Sequence, residues 1–158
     1  MRIGILSDTH DLMRPEVADA LAGCEAILHA GDVCDRRILN ILRQIAPVHA
    51  ALGNNDWMLK GSVPRQNTLE LVGKKILLIH IKSQITEDVS KFDLVITGHT
   101  HRYSCKRVKD TVFLNPGSCG RRHFTQPITL ALAELDPDTP GADGIVIAKI
   151  DIPHPERQ

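Results

Sequence analysis

Apolar residues fall in short bursts along this chain, and nearly every burst is closed by glycine, aspartate, asparagine or histidine. At positions 2–7, Ile3 and Ile5 alternate with Gly4 and Leu6 as in a buried strand, and the run stops at Asp8-Thr9-His10. Pro15 suits the first turn of a helix, Val17, Ala20 and Leu21 give that helix an apolar stripe, and Gly23 ends it. A second strand at 25–30 closes on Gly31-Asp32. Asp35 then caps a helix carrying Ile38, Leu39, Ile41, Leu42 and Ile45, which Pro47 breaks. The third strand, 48–52, runs into Gly53-Asn54-Asn55-Asp56.

Beyond Pro64 the pattern changes to alternation on both sides of Gly73-Lys74, an antiparallel hairpin of 68–72 and 75–79 that stops at His80. A short helix at 87–90 leads to a strand at 93–97 and so to Gly98-His99-Thr100-His101. A hairpin of 105–108 and 111–114 turns at Lys109-Asp110 and ends in Asn115-Pro116-Gly117-Ser118. Strands at 130–135 and 145–150 flank a polar turn at 136–144, and a loose tail begins at Pro153. Strand–helix repeats and then hairpins imply an α/β protein with two mixed sheets in one domain, 1–158.

Composition narrows the picture without changing it. A chain of 158 residues with 42% hydrophobic and 3% aromatic content builds its core from Leu, Ile, Val and Ala. Lys+Arg and Asp+Glu balance at 19 each, which argues against a broad nucleic-acid surface. Cys24, Cys34, Cys105 and Cys119 form no CxxC pair, Met1-Arg2 enters a strand directly, and no apolar run nears the roughly 18 residues of a membrane span. A soluble, cytoplasmic protein is expected, and hairpin edges such as 68–79 offer pairing surfaces for a homo-oligomer.

Asp8, His10, Asp32, Asn54, His80, His99 and His101 all stand where a strand gives way to a loop, the place where α/β sheets collect their sites. Extended backbone sends residues i and i+2 to one side, so His99 and His101 are expected to face a common site. Mixed imidazole, carboxylate and amide donors suit borderline transition metals rather than Mg²⁺ or Ca²⁺. Seven donors exceed one tetrahedral ion and suit two, about 3.5–4 Å apart across a bridging carboxylate, holding a hydroxide aimed at phosphorus.

Asp8-x-His10, Gly31-Asp32, Gly53-Asn54, His80 and Gly98-His99-Thr100-His101, in this order, resemble the calcineurin-like metallophosphoesterases. The small size and Asn115-Pro116-Gly117-Ser118 are similar to their compact prokaryotic phosphodiesterase branch. The resemblance implies a four-layer α/β/β/α sandwich of two mixed sheets flanked by helices. It assigns Asp8, His10 and His101 to one metal, Asn54, His80 and His99 to the other, and Asp32 to both, with Asp32, Asn54 and His99 counted as catalytic. It implies a phosphodiesterase using two divalent ions, manganese first, with nickel, iron, cobalt or zinc as alternatives, on a small-molecule phosphoester. The competing reading is a catalytically silent protein-binding scaffold that keeps the fold, as in a retromer subunit of the same superfamily.

Two departures from the family pattern bear on substrate contacts. Asn55 stands where many relatives carry a histidine that protonates the leaving oxygen, and an amide cannot act as a general acid. Esters with good leaving groups are therefore expected to turn over best. After His80, Ile81-Lys82 replaces the usual glycine and histidine, and Lys82 is either an ordinary exposed lysine or a point charge offered to a phosphate. His29 is expected to support a loop by hydrogen bonding, Asn115 and Ser118 to shape a turn below the site, Trp57 and Met58 to line its rim, and Arg121, Arg122 and His123 to form a solvated basic cluster.

Overall fold

The computed structural model describes residues 1–122 and 125–153. Its ten strands are β1 (Arg2–Leu6), β2 (Ala26–His29), β3 (Val48–Ala50), β4 (Gln66–Leu71), β5 (Lys74–Ile79), β6 (Leu94–Ile96), β7 (Tyr103–Val108), β8 (Thr111–Pro116), β9 (Ile128–Leu135) and β10 (Ile145–Ile152). They form two five-stranded sheets, ordered β10-β9-β1-β2-β3 and β4-β5-β6-β8-β7. Each is mixed: β1, β2 and β3 are parallel, as are β5, β6 and β8, while β9, β10, β4 and β7 join antiparallel.

Alternation decides which side chains lie between the sheets. Ile3, Ile5 and Leu28 from the first sheet meet Ile76, Leu78, Leu94, Ile96 and Leu114 from the second in one buried cluster. Leu6 and Ile27 point the other way, against Val17 and Leu21 of α1 (Pro15–Leu21) and Ile38, Leu39 and Leu42 of α2 (Arg36–Arg43). Burying a Leu or Ile side chain contributes about 1.5–3 kcal/mol, so these two clusters hold the layers together. Pro15 opens α1, and the Asp35 carboxylate caps α2 by accepting from Arg37 N at 2.9 Å.

On the outer side of the second sheet, Leu77, Ile79 and Val95 are also buried. The parallel β5-to-β6 connection has to cross this face, since the first sheet fills the other. That connection holds 3-10 turns at Lys82–Gln84 and Val89–Lys91. The expected four-layer order is therefore present, its last layer made of 3-10 turns; the expected helix at 87–90 is one of these.

The first hairpin differs from expectation in register. Leu71 pairs with Lys74, so the turn is Val72-Gly73, both at positive φ (43° and 80°), and not Gly73-Lys74. The buried Lys74 ammonium donates to the Thr139 carbonyl, which draws Lys74 into the ladder and leaves a β-branched residue in the turn. Of this hairpin only β4 is a sheet edge, because β5 is paired on both sides. The second hairpin turns at Lys109-Asp110 as expected. His123, and the tail beyond Pro153, lie outside the described residues.

Candidate metal centre

The carboxyl ends of the six parallel strands meet at one end of the two sheets. β1 delivers Asp8 and His10, β2 Asp32, β3 Asn54 and Asn55, β5 His80, β6 His99 and His101, and β8 the loop Asn115–Ser118. Asp8, His10 and His101 converge, as do Asp8, Asp32 and His80, and not by strand alternation; His99 joins neither group. Asp8, His10, Asp32, Cys34, His99 and His101 all have positive φ, between 51° and 73°. Asp and His tolerate this left-handed region better than bulky residues do, and it curls each loop back over the strand ends. The curl continues the pairing of β1 with β2, since Asp8 N donates to Gly31 O and His10 N to Asp32 O, both at 2.9 Å.

At the centre, Asp8, Asp32 and His80 are 0%, 2% and 2% exposed. Ligating atoms of Asp8, His10 and His101 lie within 4.8 Å of one another, and so do those of Asp8, Asp32 and His80. His101 Nε2 is 3.2 Å and His80 Nε2 3.8 Å from Asp8 Oδ1. Asp32 Oδ2 is 3.3 Å from His80 Nε2 and 3.9 Å from His10 Nε2, so one carboxylate oxygen faces a histidine of each group. His99 is exposed; its ring packs edge-on to His80 with centroids 5.3 Å apart, and its backbone N–H donates to Asp8 Oδ2 at 3.0 Å. Asn54 is exposed and lies between Gly53 and Asn55, both of which touch Asp32.

The electrostatics favour ionised carboxylates. Burial works against ionisation of Asp32, yet the His80 ring and the Asn55 N–H groups (backbone and Nδ2, each 2.9 Å away) hold its acid well below the usual range. Asp8 is lowered likewise, with burial opposed by His101, His80 and the Ser7 hydroxyl at 2.6 Å. His80 is raised: burial resists the charge, but Asp32 and Asp8 prevail. His80 Nδ1 donates to the Ala30 carbonyl at 2.7 Å, leaving Nε2 to face the carboxylates. Asp8 Oδ1 and His80 Nε2 are nonetheless buried without a geometrically sound hydrogen bond. Two orphaned lone-pair atoms beside a second carboxylate are what a bound cation satisfies, and the nitrogen and oxygen donors fit a divalent transition metal.

The supporting residues behave as the loops demand. His29 Nδ1 accepts from Gly31 N and its Nε2 meets the Thr9 hydroxyl, at 3.1 and 3.0 Å. Asn115 Nδ2 donates to Gly98 O and the Ser118 hydroxyl to Asp8 O, both at 2.9 Å, so the β8 loop braces two ligand loops. Gly98 is required by space, because a Cβ there would lie 2.8 Å from Asp8 Oδ2. Cys34 Sγ is 3.5 Å from His10 Nδ1, but burial, with Asp56 and Asp32 nearby, pushes its thiol to about 12, so it stays protonated. Lys82 is exposed, its ammonium 5.1 Å from the Phe113 ring centre. Arg121 pairs with Asp11 at 2.9 Å, and Trp57 and Met58 are 73% and 77% exposed beside the Gly53–Asp56 loop.

Asp56 escapes a reading by motif. Buried to 1% exposure, its carboxylate accepts from the backbone N–H of Asp32, Cys34 and Gly53 at 3.0, 2.7 and 2.7 Å. It ties the β2 and β3 loops together beneath the ligands. The signal in sequence is an aspartate three residues after a glycine in a turn, too common to single out.

A profile of the calcineurin-like phosphoesterase superfamily domain matches residues 1–138. The chain belongs to that superfamily. It is 36% identical over 146 residues to a probable metallophosphoesterase of Methanothermobacter thermautotrophicus, covering 84% of this chain and 85% of that protein. Among solved structures it is similar to a novel archaeal phosphodiesterase, with TM-score 0.75, 25% identity, and 96% and 100% of the two chains covered. Vps29 of Entamoeba histolytica, complexed with zinc, gives TM-score 0.73 at 25% identity, over 96% and 99% of the chains. The two-sheet metallophosphatase fold is thus shared with an archaeal phosphodiesterase. Among the described residues no helix is long and apolar enough to cross a membrane.

Proposed function

We propose that this protein is a two-metal phosphodiesterase acting on small-molecule phosphoesters in the cytoplasm. The observation that carries this reading is the buried pair Asp8 Oδ1 and His80 Nε2, orphaned 3.8 Å apart beside Asp32 Oδ2. Asp8, His10 and His101 would hold one ion, and His80 with Asn54 and His99 the other. Asp32 would join them, a role supported by its Oδ2 facing both His10 and His80. Bound divalent ions supply the positive charge that offsets a phosphoester's oxygens and acidifies a water for attack on phosphorus.

The chain's own residues set the stage for that attack. Asn55 holds both Asp32 oxygens through two N–H donors, so it orients the shared carboxylate and has no acidic proton for a leaving oxygen. His99, exposed at the mouth, would complete the second ion's ligands on the side open to substrate. The reading is therefore of diesters whose leaving group departs without protonation, with manganese as the first metal to try.

Protein stripped with chelator and refilled with Mn²⁺ is expected to hydrolyse bis-p-nitrophenyl phosphate, and Asp32→Ala and His99→Ala to lower kcat/KM by about 10²-fold or more. Retained activity in both variants refutes the assignment. The likeness to Vps29 supports a second reading, a silent scaffold that keeps the fold. That reading requires wild-type protein with its metal restored to show no turnover of any diester or monoester.

A further inference from the structure

Beside the ligand cluster, on the outer face of the second sheet, a cleft of about 410 Å³ opens directly against His99. Ile81 and Phe113 form an apolar floor, and Lys82 and Arg102 supply two cations. No acidic side chain lines it among the described residues. The size suits a ligand group of nucleoside scale, since small-molecule pockets run from about 300 to 1,000 Å³.

Both cations have a neighbour in the cleft wall. The Lys82 ammonium rests over the Phe113 ring at 5.1 Å, and neither it nor Arg102 has a carboxylate partner among the described residues. Arg102 N donates to the Thr100 hydroxyl at 3.3 Å, and Asn115 Nδ2 donates to the same hydroxyl at 3.0 Å. With its amide turned to satisfy both neighbours, Gln126 accepts from Arg102 Nε at 3.2 Å and donates to the His101 carbonyl at 3.0 Å. That fixes Arg102 to the loop carrying His99 and His101. Both residues are exposed, and two cations flanking one aromatic ring with no carboxylate lining the cleft make its local potential favourable to an anion.

Resting on the phosphodiesterase reading, we propose that this cleft takes one organic group of the diester, and that Lys82 and Arg102 select a ring-bearing group with a second anionic substituent. A phosphorylated nucleoside represents the class. The ring packs along Ile81 and the edge of Phe113, whose face the Lys82 ammonium covers, while the second anion meets the ammonium and guanidinium. Ile81-Lys82, the departure from the family pattern after His80, is then the feature that sets this chain's specificity.

The test compares two esters with the same leaving group: thymidine 5′-(p-nitrophenyl phosphate), and that ester bearing a 3′-phosphate. In wild-type protein refilled with Mn²⁺, the 3′-phosphate is expected to raise kcat/KM roughly tenfold or more, the effect of a hydrogen bond to a charged group. Lys82→Ala and Arg102→Ala should each bring the ratio towards one, and Lys82→Arg should keep it. A wild-type ratio near one, or a ratio surviving in both alanine variants, overturns the proposal.

Failure of the parent reading looks different, because then neither ester is cleaved. The cleft is in that case read by calorimetry on chelator-treated protein. Thymidine 3′,5′-bisphosphate binding tighter than thymidine 5′-phosphate, with the difference lost in Lys82→Ala, upholds the anion selection. Equal binding refutes it.

Discussion

His29 holds no ligand position, yet two loops of the centre depend on its being neutral. Nδ1 accepts from Gly31 N, so the ring proton sits on Nε2 and points at the Thr9 hydroxyl. Burial pushes its pKa down to about 4 from 6.5. The unfolded chain therefore binds more protons than the folded one between those values, and stability falls as pH drops through that window, by about 3 kcal/mol in full. His80, whose pKa is raised, has the opposite sign: its contribution in metal-free protein is lost as pH climbs through the folded pKa and is complete below 6.5. Asp8 and Asp32, both lowered, lose their contribution only below about pH 5, which leaves the range from 6.5 to 5 to His29. Urea midpoints of chelator-treated protein should fall between pH 6.5 and 5, and His29→Gln should flatten that slope; an equal slope in the variant counts against the assignment.

Among the elements, the ligand-bearing loops are the ones under strain, and their cross-links keep them in place. Left-handed residues at Asp8, His10, Asp32, His99 and His101 cost of order 1 kcal/mol or more each. Asp56 offsets part of this by satisfying three loop N–H groups at once. Asp56→Ala leaves those donors buried without partners and should cost about 3 kcal/mol, seen as a lowered melting temperature. Because Asp32 N is one of the three, the same variant should weaken metal binding by about 10–100-fold in a titration. A melting temperature within a degree of wild type would show that water replaces the carboxylate.

For the molecule as a whole, the sheets are also fastened at the end away from the centre. Lys74, first residue of β5 and 1% exposed, donates to the Thr139 carbonyl in the loop joining β9 to β10, so it links one sheet to the other. Met1 adds to this end, its ammonium donating to Leu135 O at 2.9 Å. Lys74→Met keeps the apolar stem and removes the donor, and should lower stability by about 1–3 kcal/mol in urea. The number of Mn²⁺ ions bound should not change, because Lys74 opens the strand whose far end carries His80. A changed metal count would mean that the two ends of the sandwich are coupled.

Strands, their order and their closing residues were legible along the chain. Short alternating runs ending in Asp8, Asp32, Asn54, His80 and His99 specify each strand and the loop after it, because burial of one face and turn chemistry at its end are local properties. The seven donors could be named for the same reason, and their order carried the likeness to a family. Tertiary structure alone decided the rest. It brought the ends of six parallel strands from two sheets to one place, put His10 and His80 within 4 Å of the same Asp32 oxygen, at 3.9 and 3.3 Å, and set the loops in a left-handed curl rather than an extended strand. It also placed Asp56 under two loops, Lys74 across two sheets, and Lys82 with Arg102 in one cleft beside Phe113. Such contacts join residues far apart in the chain, where hydrogen-bond geometry and charge, not periodicity, determine the neighbours.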